Sequence, residues 1–222
     1  VTLGGTVDLR PRTIASLTQA AGTIAANLLR VDSTAAIGAP LNTAGTLLEA
    51  RSAAGVNISQ TGNLTIGDAG CLAGVSSTGT GNIQIVSTGT ITTAEAVSTT
   101  NPGSITLQGT SLTLTGGGLS CGSGDVFLQP TADGTTIAIN DGAGGFYISE
   151  ASLQSITTTG TVYIGRTGGT GTVNIGSQGA VDLSGRAYNL TIRGSTSPIS
   201  FNFGAAGDSL TLGAAAGRTL TL

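Results

Sequence analysis

Residues 103–116 read GSITLQGTSLTLTG and contain the phrase that decides the fold. The phrase is an aliphatic residue, a polar or small residue, a second aliphatic residue and then a turn that contains glycine. It returns as Leu64-Thr65-Ile66, Leu190-Thr191-Ile192 and Leu210-Thr211-Leu212. Alternate side chains of a strand point to opposite faces, so the two aliphatic residues share one face and the middle residue takes the other. One short unit repeated along a chain is typical of a solenoid.

The composition agrees with short strands and tight turns. Only 9% of the 222 residues are charged and 3% are aromatic, whereas glycine alone accounts for 37. The regular aliphatic spacing argues against disorder, because each repeat has apolar side chains to bury. We predict a single β-solenoid repeat domain over residues 1–222. Since the sequence starts at Val1 and shows no signal peptide, we expect it to be a segment of a longer chain or fibre.

The period of the phrase predicts the size of a coil. In the C-terminal half, one series recurs at nearly even intervals: Val162, Val181, Ile199 and Leu220. A second series interleaves with it: Val173, Leu190 and Leu210. Two series predict at least two strands per coil and coils of about 20 residues. About eleven such coils, stacked about 4.8 Å apart, give a rod about 50 Å long.

The aliphatic face is expected to fill the interior of the rod, with Phe127, Phe201 and Phe203 as occasional large members. Asparagines at the turns, such as Asn63 and Asn189, are expected to stack their amides along the rod. A helix is the alternative for residues 14–28, where apolar residues have helix-like spacing. We favour strands there, because the nearby residues 29–31 (LRV) match the phrase.

Four stretches carry a resemblance to a known family: residues 17–24 (LTQAAGTI), 42–47 (NTAGTL), 55–59 (GVNIS) and 62–67 (GNLTIG). They resemble the repeats of filamentous-haemagglutinin-type proteins, which are bacterial surface and secreted exoproteins, many of them exported by two-partner secretion. The resemblance implies an all-β fold, a right-handed parallel β-helix, and an extracellular or bacterial cell-surface location. It also implies a part in adhesion, biofilm or a surface fibre. The family's secretion domain carries an Asn-Pro-Asn motif, which residues 101–103 (NPG) do not match.

Composition argues against several classes of function. The net charge is −3 and all eight basic residues are arginine, so no basic stripe follows a phosphate backbone and we expect no nucleic-acid partner. No apolar run is long enough to span a membrane. Without histidine or lysine, the usual catalytic bases are absent, and we expect no enzyme. The alternative is a carbohydrate-binding or polysaccharide-cleaving β-helix, for which paired carboxylates would serve.

We predict no metal site and no cofactor. Residues 67–70 (GDAG) and 141–145 (DGAGG) resemble the nonapeptide turns that bind Ca²⁺, but they do not recur at nine-residue spacing. Aspartate beside glycine commonly serves a turn, and that is the interpretation we favour.

Cys71 and Cys121 are a candidate disulfide. Each lies in a glycine-rich segment after a Leu-Thr-Ile or Leu-Thr-Leu phrase, and those phrases are expected to lie two coils, or about 9.6 Å, apart. A disulfide needs Cα atoms within about 7 Å, so a bridge requires turns that lean together. A bond between neighbouring fibres is the alternative.

The candidate contact surface is aromatic. Five side chains between residues 144 and 188 are candidates for stacking on sugar rings or on a partner: Phe146, Tyr147, Tyr163, Arg166 and Tyr188. Ordinary packing beneath a loop is the alternative for each of them. The expected partners are other copies or further repeats that meet the rod end to end, together with host or matrix glycans.

Overall fold

The computed structural model describes residues 2–10, 16–67, 70, 72–100, 102–142, 144–194, 199–213 and 218–222. Twenty-four strands and one short helix make up its regular structure. In chain order they are β1 (Thr2–Leu9), β2 (Ala25–Ser33), β3 (Ile37–Thr43), β4 (Leu47–Ser52), β5 (Val56–Gln60), β6 (Leu64–Ile66), β7 (Val75–Ser77), β8 (Ile83–Ser87), β9 (Ile91–Thr93), β10 (Val97–Thr99), β11 (Ile105–Gly109), β12 (Leu112–Leu114), β13 (Leu119–Ser120), β14 (Val126–Pro130), β15 (Ile137–Ile139), β16 (Phe146–Ile148), α1 (Glu150–Gln154), β17 (Ile156–Thr157), β18 (Thr161–Ile164), β19 (Val173–Ile175), β20 (Val181–Leu183), β21 (Asn189–Ile192), β22 (Ile199–Phe201), β23 (Leu210–Leu212) and β24 (Leu220–Thr221).

The strands pair in parallel with the strand one coil away, which confirms an all-β parallel β-helix. Eight of them form one continuous sheet, here called the long sheet, in the order β24-β21-β18-β14-β11-β8-β5-β3. Its register follows the aliphatic phrase, since Val126 pairs with Ile105 on one side and with Val162 on the other. The hand of the helix stays a prediction.

Each coil gains a third face from β4 onward, because β4 pairs with two different strands of the next coil. The first half of β4 pairs with β6 and its second half pairs with β7. From that point β6, β9 and β12 continue a second face, and β7, β10, β13 and β17 continue a third. In the C-terminal coils, β15, β16, β19 and β22 form a separate sheet on the second face, and β20 pairs with β23 on the third.

The predicted coil length is wrong for the C-terminal half. Val162 pairs with Leu190 and Leu190 with Leu220, so each of these coils is nearly half as long again as expected. The two series used to predict the coil length combine residues from different faces of the coil. Val181, for example, belongs to the third face and not to the long sheet. The expected eleven coils are also wrong for the described residues: the long sheet has eight strands, a bridge from Leu17 to Ile37 adds one coil before β3, and eight spacings of about 4.8 Å give about 38 Å.

The largest departure from regularity lies between β14 and β18. Ile137 pairs in parallel with Phe146, only nine residues later, so the second face gains an extra strand within one coil. The connection is short because Gly144 has no side chain: a Cβ there would lie 2.6 Å from that of Ala138. Helix α1 follows, and the Ser149 hydroxyl caps it by accepting a hydrogen bond from the Ser152 N–H at 3.1 Å.

The core is the stack of aliphatic side chains inside the coils. Ile58, Ile85 and Leu107 occupy one register position in successive strands of the long sheet, and none of them has exposed surface. Each such side chain stabilises the fold by about 1.5–3 kcal/mol on burial. Strand β2 confirms that residues 29–31 are extended.

Two ladders of charge link the first coils on strand faces that point away from the aliphatic core, one ladder buried and the other exposed. Arg30 lies between Asp8 and Glu49, with Nη1 3.6 Å from an oxygen of Asp8 and Nε 3.1 Å from Glu49 Oε2. Glu49 has no exposed surface and also accepts a hydrogen bond from the Leu72 N–H at 3.1 Å. In the second ladder Arg51 donates two hydrogen bonds to Asp32, at 2.7 and 2.9 Å.

The asparagines act at the corners in a different way from the expected amide stack. Asn63 Oδ1 accepts a hydrogen bond from the Thr90 N–H at 2.9 Å, and Asn189 Oδ1 accepts one from the Thr219 N–H at 3.1 Å. Asn82 does the same for Ser104. Each amide oxygen therefore satisfies a backbone donor of the next coil, which ties neighbouring turns together.

Candidate binding surface on the long sheet

Two of the five predicted contact residues are in the core, so their assignment to a contact surface was wrong. Phe146 opens the phrase Phe-Tyr-Ile and therefore takes the buried face, with no exposed surface. Tyr188 is 1% exposed, and its hydroxyl donates to the Leu153 carbonyl at 3.1 Å. Burial raises the pKa of Tyr188 above its ordinary value. Both side chains stabilise the enlarged C-terminal coils.

Tyr147 is on the surface but belongs to the second face. It is the middle residue of β16, and its hydroxyl donates to Gln178 Oε1 at 2.9 Å. Tyr163 and Arg166 belong to β18 and the turn that follows it, on the long sheet. The structure therefore separates Tyr147 from Tyr163 and Arg166, and all three side chains are half-buried.

Tyr163 stacks on a residue that the sequence analysis placed in the interior. Phe127 is the middle residue of Val-Phe-Leu in β14, so it faces outward and lies in register with Tyr163. The two ring centroids are 4.8 Å apart and the ring planes differ by 5°. Parallel strands bring residues of equal register to about this distance, and an offset aromatic pair is favourable there. Phe201, also expected inside, is 45% exposed on β22.

Arg193 completes the stack from the next coil. Its guanidinium carbon lies 4.0 Å from the Tyr163 ring centroid and 5.7 Å from that of Phe127. The Arg193 N–H donates to the Ile164 carbonyl at 2.7 Å, which fixes the backbone beside β18. Gly165 permits this approach, since a Cβ there would lie 2.2 Å from the Arg193 carbonyl oxygen. A cation over an aromatic face is attracted by the ring quadrupole.

An open groove adjoins the stack, with a volume of about 230 Å³. Its walls come from three successive coils: Arg166, Thr167, Thr191, Ile192, Arg193, Gly194, Thr221 and Leu222. Arg166 Nε donates to Asp133 Oδ1. Arg193 Nη1 donates to the Thr167 hydroxyl at 3.3 Å, and among the described residues it forms no ion pair with a carboxylate. A smaller groove of about 200 Å³, lined in part by Asn57, lies near the other end of the same sheet.

The groove lining has arginine, threonine and apolar groups and no side-chain carboxylate. Glycoside hydrolysis uses two carboxyl groups that flank the scissile bond, and the groove lining contains none. Among the residues that the structure describes, no three His, Cys, Asp or Glu side chains are grouped to hold a metal ion. Asp141, from the calcium-like segment, is buried and accepts hydrogen bonds from the Ser177 N–H and the Asn202 amide. Asp68 lies outside the described residues.

Cys121 occupies an interior corner. Its neighbours at equal positions in other coils are hydroxyl residues: Ser52, Ser77, Thr99 and Thr158. Like them it donates to a corner carbonyl, with Sγ 3.2 Å from the Gly124 oxygen. Burial raises the pKa of its thiol. The strands that precede the two cysteines, β6 and β12, lie two coils apart as expected. Cys71 itself lies outside the described residues, so the disulfide stays a prediction.

Sequence reasoning missed Phe127 and Arg193 as surface residues. The signal for Phe127 was present, because it holds the same middle position as Tyr163. Arg193 had no comparable signal, since its contact depends on the length of the coil that runs from Val162 to Leu190.

Comparison with known proteins does not assign the chain to a family. No family model matches the chain, and neither a curated protein nor a solved structure matches it. In the described part of the chain, no helix has the length and apolar character needed to cross a bilayer.

Proposed function

We propose that this chain is a structural and adhesive rod of a bacterial extracellular surface fibre. The observation that carries the proposal is the long sheet, in which eight parallel strands from β3 to β24 pair without interruption. Every coil is hydrogen-bonded to the next, and the interior is filled by fully buried aliphatic residues. Such a solenoid is stiff along its axis and presents extended faces. The resemblance of residues 42–67 to adhesin repeats supports the location.

The last described strands support assembly end to end. β22, β23 and β24 are each the final strand of their sheet, so each has an unpaired edge. Large apolar side chains are exposed at this end: Phe201, Leu220 and Leu222. Unpaired edges beside apolar surface favour the addition of another strand. The occupant is either a further repeat or a second copy of the chain, and a head-to-tail contact that does not close propagates as a filament.

Electron microscopy of the purified chain over a range of concentrations tests the proposal. We expect filaments of uniform width that lengthen as the concentration rises. Leu220→Asp should shorten or abolish them, because it places a charge at the exposed edge. Thr113→Asp is the matched control, since Thr113 is exposed on β12, far from the last strands, and should leave assembly unchanged. Isolated particles at every concentration would contradict self-assembly.

A second candidate function is carbohydrate binding, and the surface of Phe127, Tyr163 and Arg193 favours it. Aromatic rings, an arginine and threonine hydroxyls beside an open groove are groups that contact sugars. The cleaving form of this alternative has no support in the groove, whose lining lacks carboxylates. A glycan array probed with the native chain and with Tyr163→Ala tests the candidate. Binding that Tyr163→Ala weakens supports it, and an array without any bound glycan contradicts it.

A further inference from the structure

We infer that the groove beside Arg193 binds a uronate unit of an acidic polysaccharide. The inference rests on the second candidate function and names the class of glycan. The sequence offered no cluster of basic residues for such a ligand. Folding brings two arginines to one groove after paired strands of successive coils: Arg166, which pairs with Asp133, and Arg193, which has no carboxylate partner among the described residues.

Arg193 is the charged group of the site. A guanidinium carries five N–H donors, and the structure shows one of those of Arg193 in use, toward Thr167. Its positive charge lies against the Tyr163 ring, which attracts the cation but accepts little hydrogen bonding. By contrast Arg30, Arg51 and Arg166 each pair with a carboxylate. Arg193 therefore keeps its capacity for an external anion.

The neighbouring arginine indicates which anion suits this surface. Arg166, on the preceding coil, already pairs with the Asp133 carboxylate at the edge of the groove. The planar guanidinium matches a planar carboxylate through two parallel hydrogen bonds. A carboxylate from solution can meet Arg193 as the Asp32 carboxylate meets Arg51, through two hydrogen bonds.

The rest of the lining fits a sugar that carries this carboxylate. Thr191 and Thr221 pair in register on successive coils and place two hydroxyls along the groove. Leu222 adds exposed apolar surface that suits the C–H face of a sugar ring, whereas the Ile192 side chain is buried beneath the groove. The volume of about 230 Å³ is below the roughly 300–1,000 Å³ of sites for drug-sized ligands, so the groove is suited to one unit of a longer chain.

The test is calorimetric titration of the native chain with tetragalacturonate and with its methyl ester, which keeps the sugar and removes the charge. We expect binding of the acid that weakens as salt rises, and at least about tenfold weaker binding of the ester. Arg193→Gln should weaken binding of the acid by about tenfold or more. Arg186→Gln is the matched control, because Arg186 also lacks a carboxylate partner in the described residues but lies at another corner.

A second variant keeps the inference testable if Arg193→Gln does not fold. Thr191→Val keeps a β-branched residue in β21 and removes only a hydroxyl of the groove. It should weaken binding several-fold while the far-ultraviolet circular dichroism stays native. Equal affinity for acid and ester, equal loss in Arg186→Gln and Arg193→Gln, or tighter binding of a sulfated tetrasaccharide would each overturn the assignment to uronate. If the glycan array shows only neutral ligands, this inference fails and the second candidate function stands; if it shows none, both fail.

Discussion

The first and the last coils are both linked by side chains that stack from coil to coil on strand faces that point away from the aliphatic core, but with different chemistry. In the first coils the stacked groups are ions, with Arg30 between Asp8 and Glu49 and with Arg51 on Asp32. In the last coils they are two aromatic rings and an arginine: Phe127, Tyr163 and Arg193. Both arrangements use the same parallel register.

The difference separates a surface closed by ion pairs of its own chain from the surface for which we propose glycan binding. An arginine that pairs with a carboxylate of its own chain has its charge neutralised within the rod. An arginine that packs on an aromatic ring is held in place with most of its donors unused. The first coils are therefore suited to rigidity, and the last coils are suited to contact with a ligand.

Glu49→Gln should have the largest effect on stability. It removes the charge of a buried carboxylate that pairs with Arg30, and breaking a buried pair costs about 3–5 kcal/mol. Denaturant unfolding followed by circular dichroism measures the loss. Asp32→Asn removes the exposed pair of the same region and should cost at most about 1 kcal/mol. Similar losses of stability in the two variants would show that burial does not determine how much each ion pair contributes.

Tyr163→Ala should have an intermediate effect on stability and a large one on binding. The ring contributes about 0.5–1.5 kcal/mol of aromatic pairing and about 0.5–1 kcal/mol of attraction to Arg193, besides its buried area. Tyr163→Phe keeps the ring and should retain both stability and binding. A stability loss in Tyr163→Ala without any loss of glycan binding would confine the stack to a structural role.

Acid should loosen the first coils by a smaller, local effect. The hydrogen bond from Arg10 lowers the pKa of Asp8, and the hydrogen bond from Arg51 lowers that of Asp32. A group whose folded-state pKa is lowered stabilises the fold above its unfolded value of about 3.9, and this stabilisation is lost as the pH falls through the folded value. Hydrogen exchange at pH 3 and pH 6, corrected for intrinsic rates, should show β1 and β2 losing protection at pH 3. The stack of Phe127, Tyr163 and Arg193 contains no carboxylate, so equal losses at Tyr163 would contradict the comparison.

Cys121→Ser should have the smallest effect, below about 1 kcal/mol, the scale of one hydrogen bond. Serine and threonine already occupy the equivalent corners of other coils, where their hydroxyls donate to corner carbonyls. Because the thiol is buried with a raised pKa, native protein should react slowly with thiol reagents at this site. A much larger loss of stability, sensitive to reductant, would instead support the predicted disulfide with Cys71.

The fold class could be predicted from the sequence because the phrase aliphatic–polar–aliphatic encodes burial on one face. Every strand needs that pattern, so Ile105-Thr106-Leu107 is readable without knowledge of its neighbours. Which strands stack on which could not be predicted in the C-terminal half. Val173, Val181 and Leu190 have the same local pattern but lie on three different faces.

The site was harder to predict for the same reason. Phe146 and Tyr163 are both aromatic residues within the repeated phrase. Phe146 holds the first position and is buried, whereas Tyr163 holds the middle position and faces outward. Helix α1 and the nine-residue step from Ile137 to Phe146 shift the register of later residues. Contacts such as that between Tyr163 and Arg193 follow from that register, so they appear only once the coils are assembled.

The central claim is that the chain is a rod that grows along its axis, and small-angle X-ray scattering over a concentration series tests it most directly. We expect the cross-sectional radius of gyration to stay constant while the maximum dimension increases with concentration. Leu220→Asp should hold the maximum dimension at that of a single chain. A maximum dimension that never changes, or growth in cross-section, would contradict end-to-end assembly.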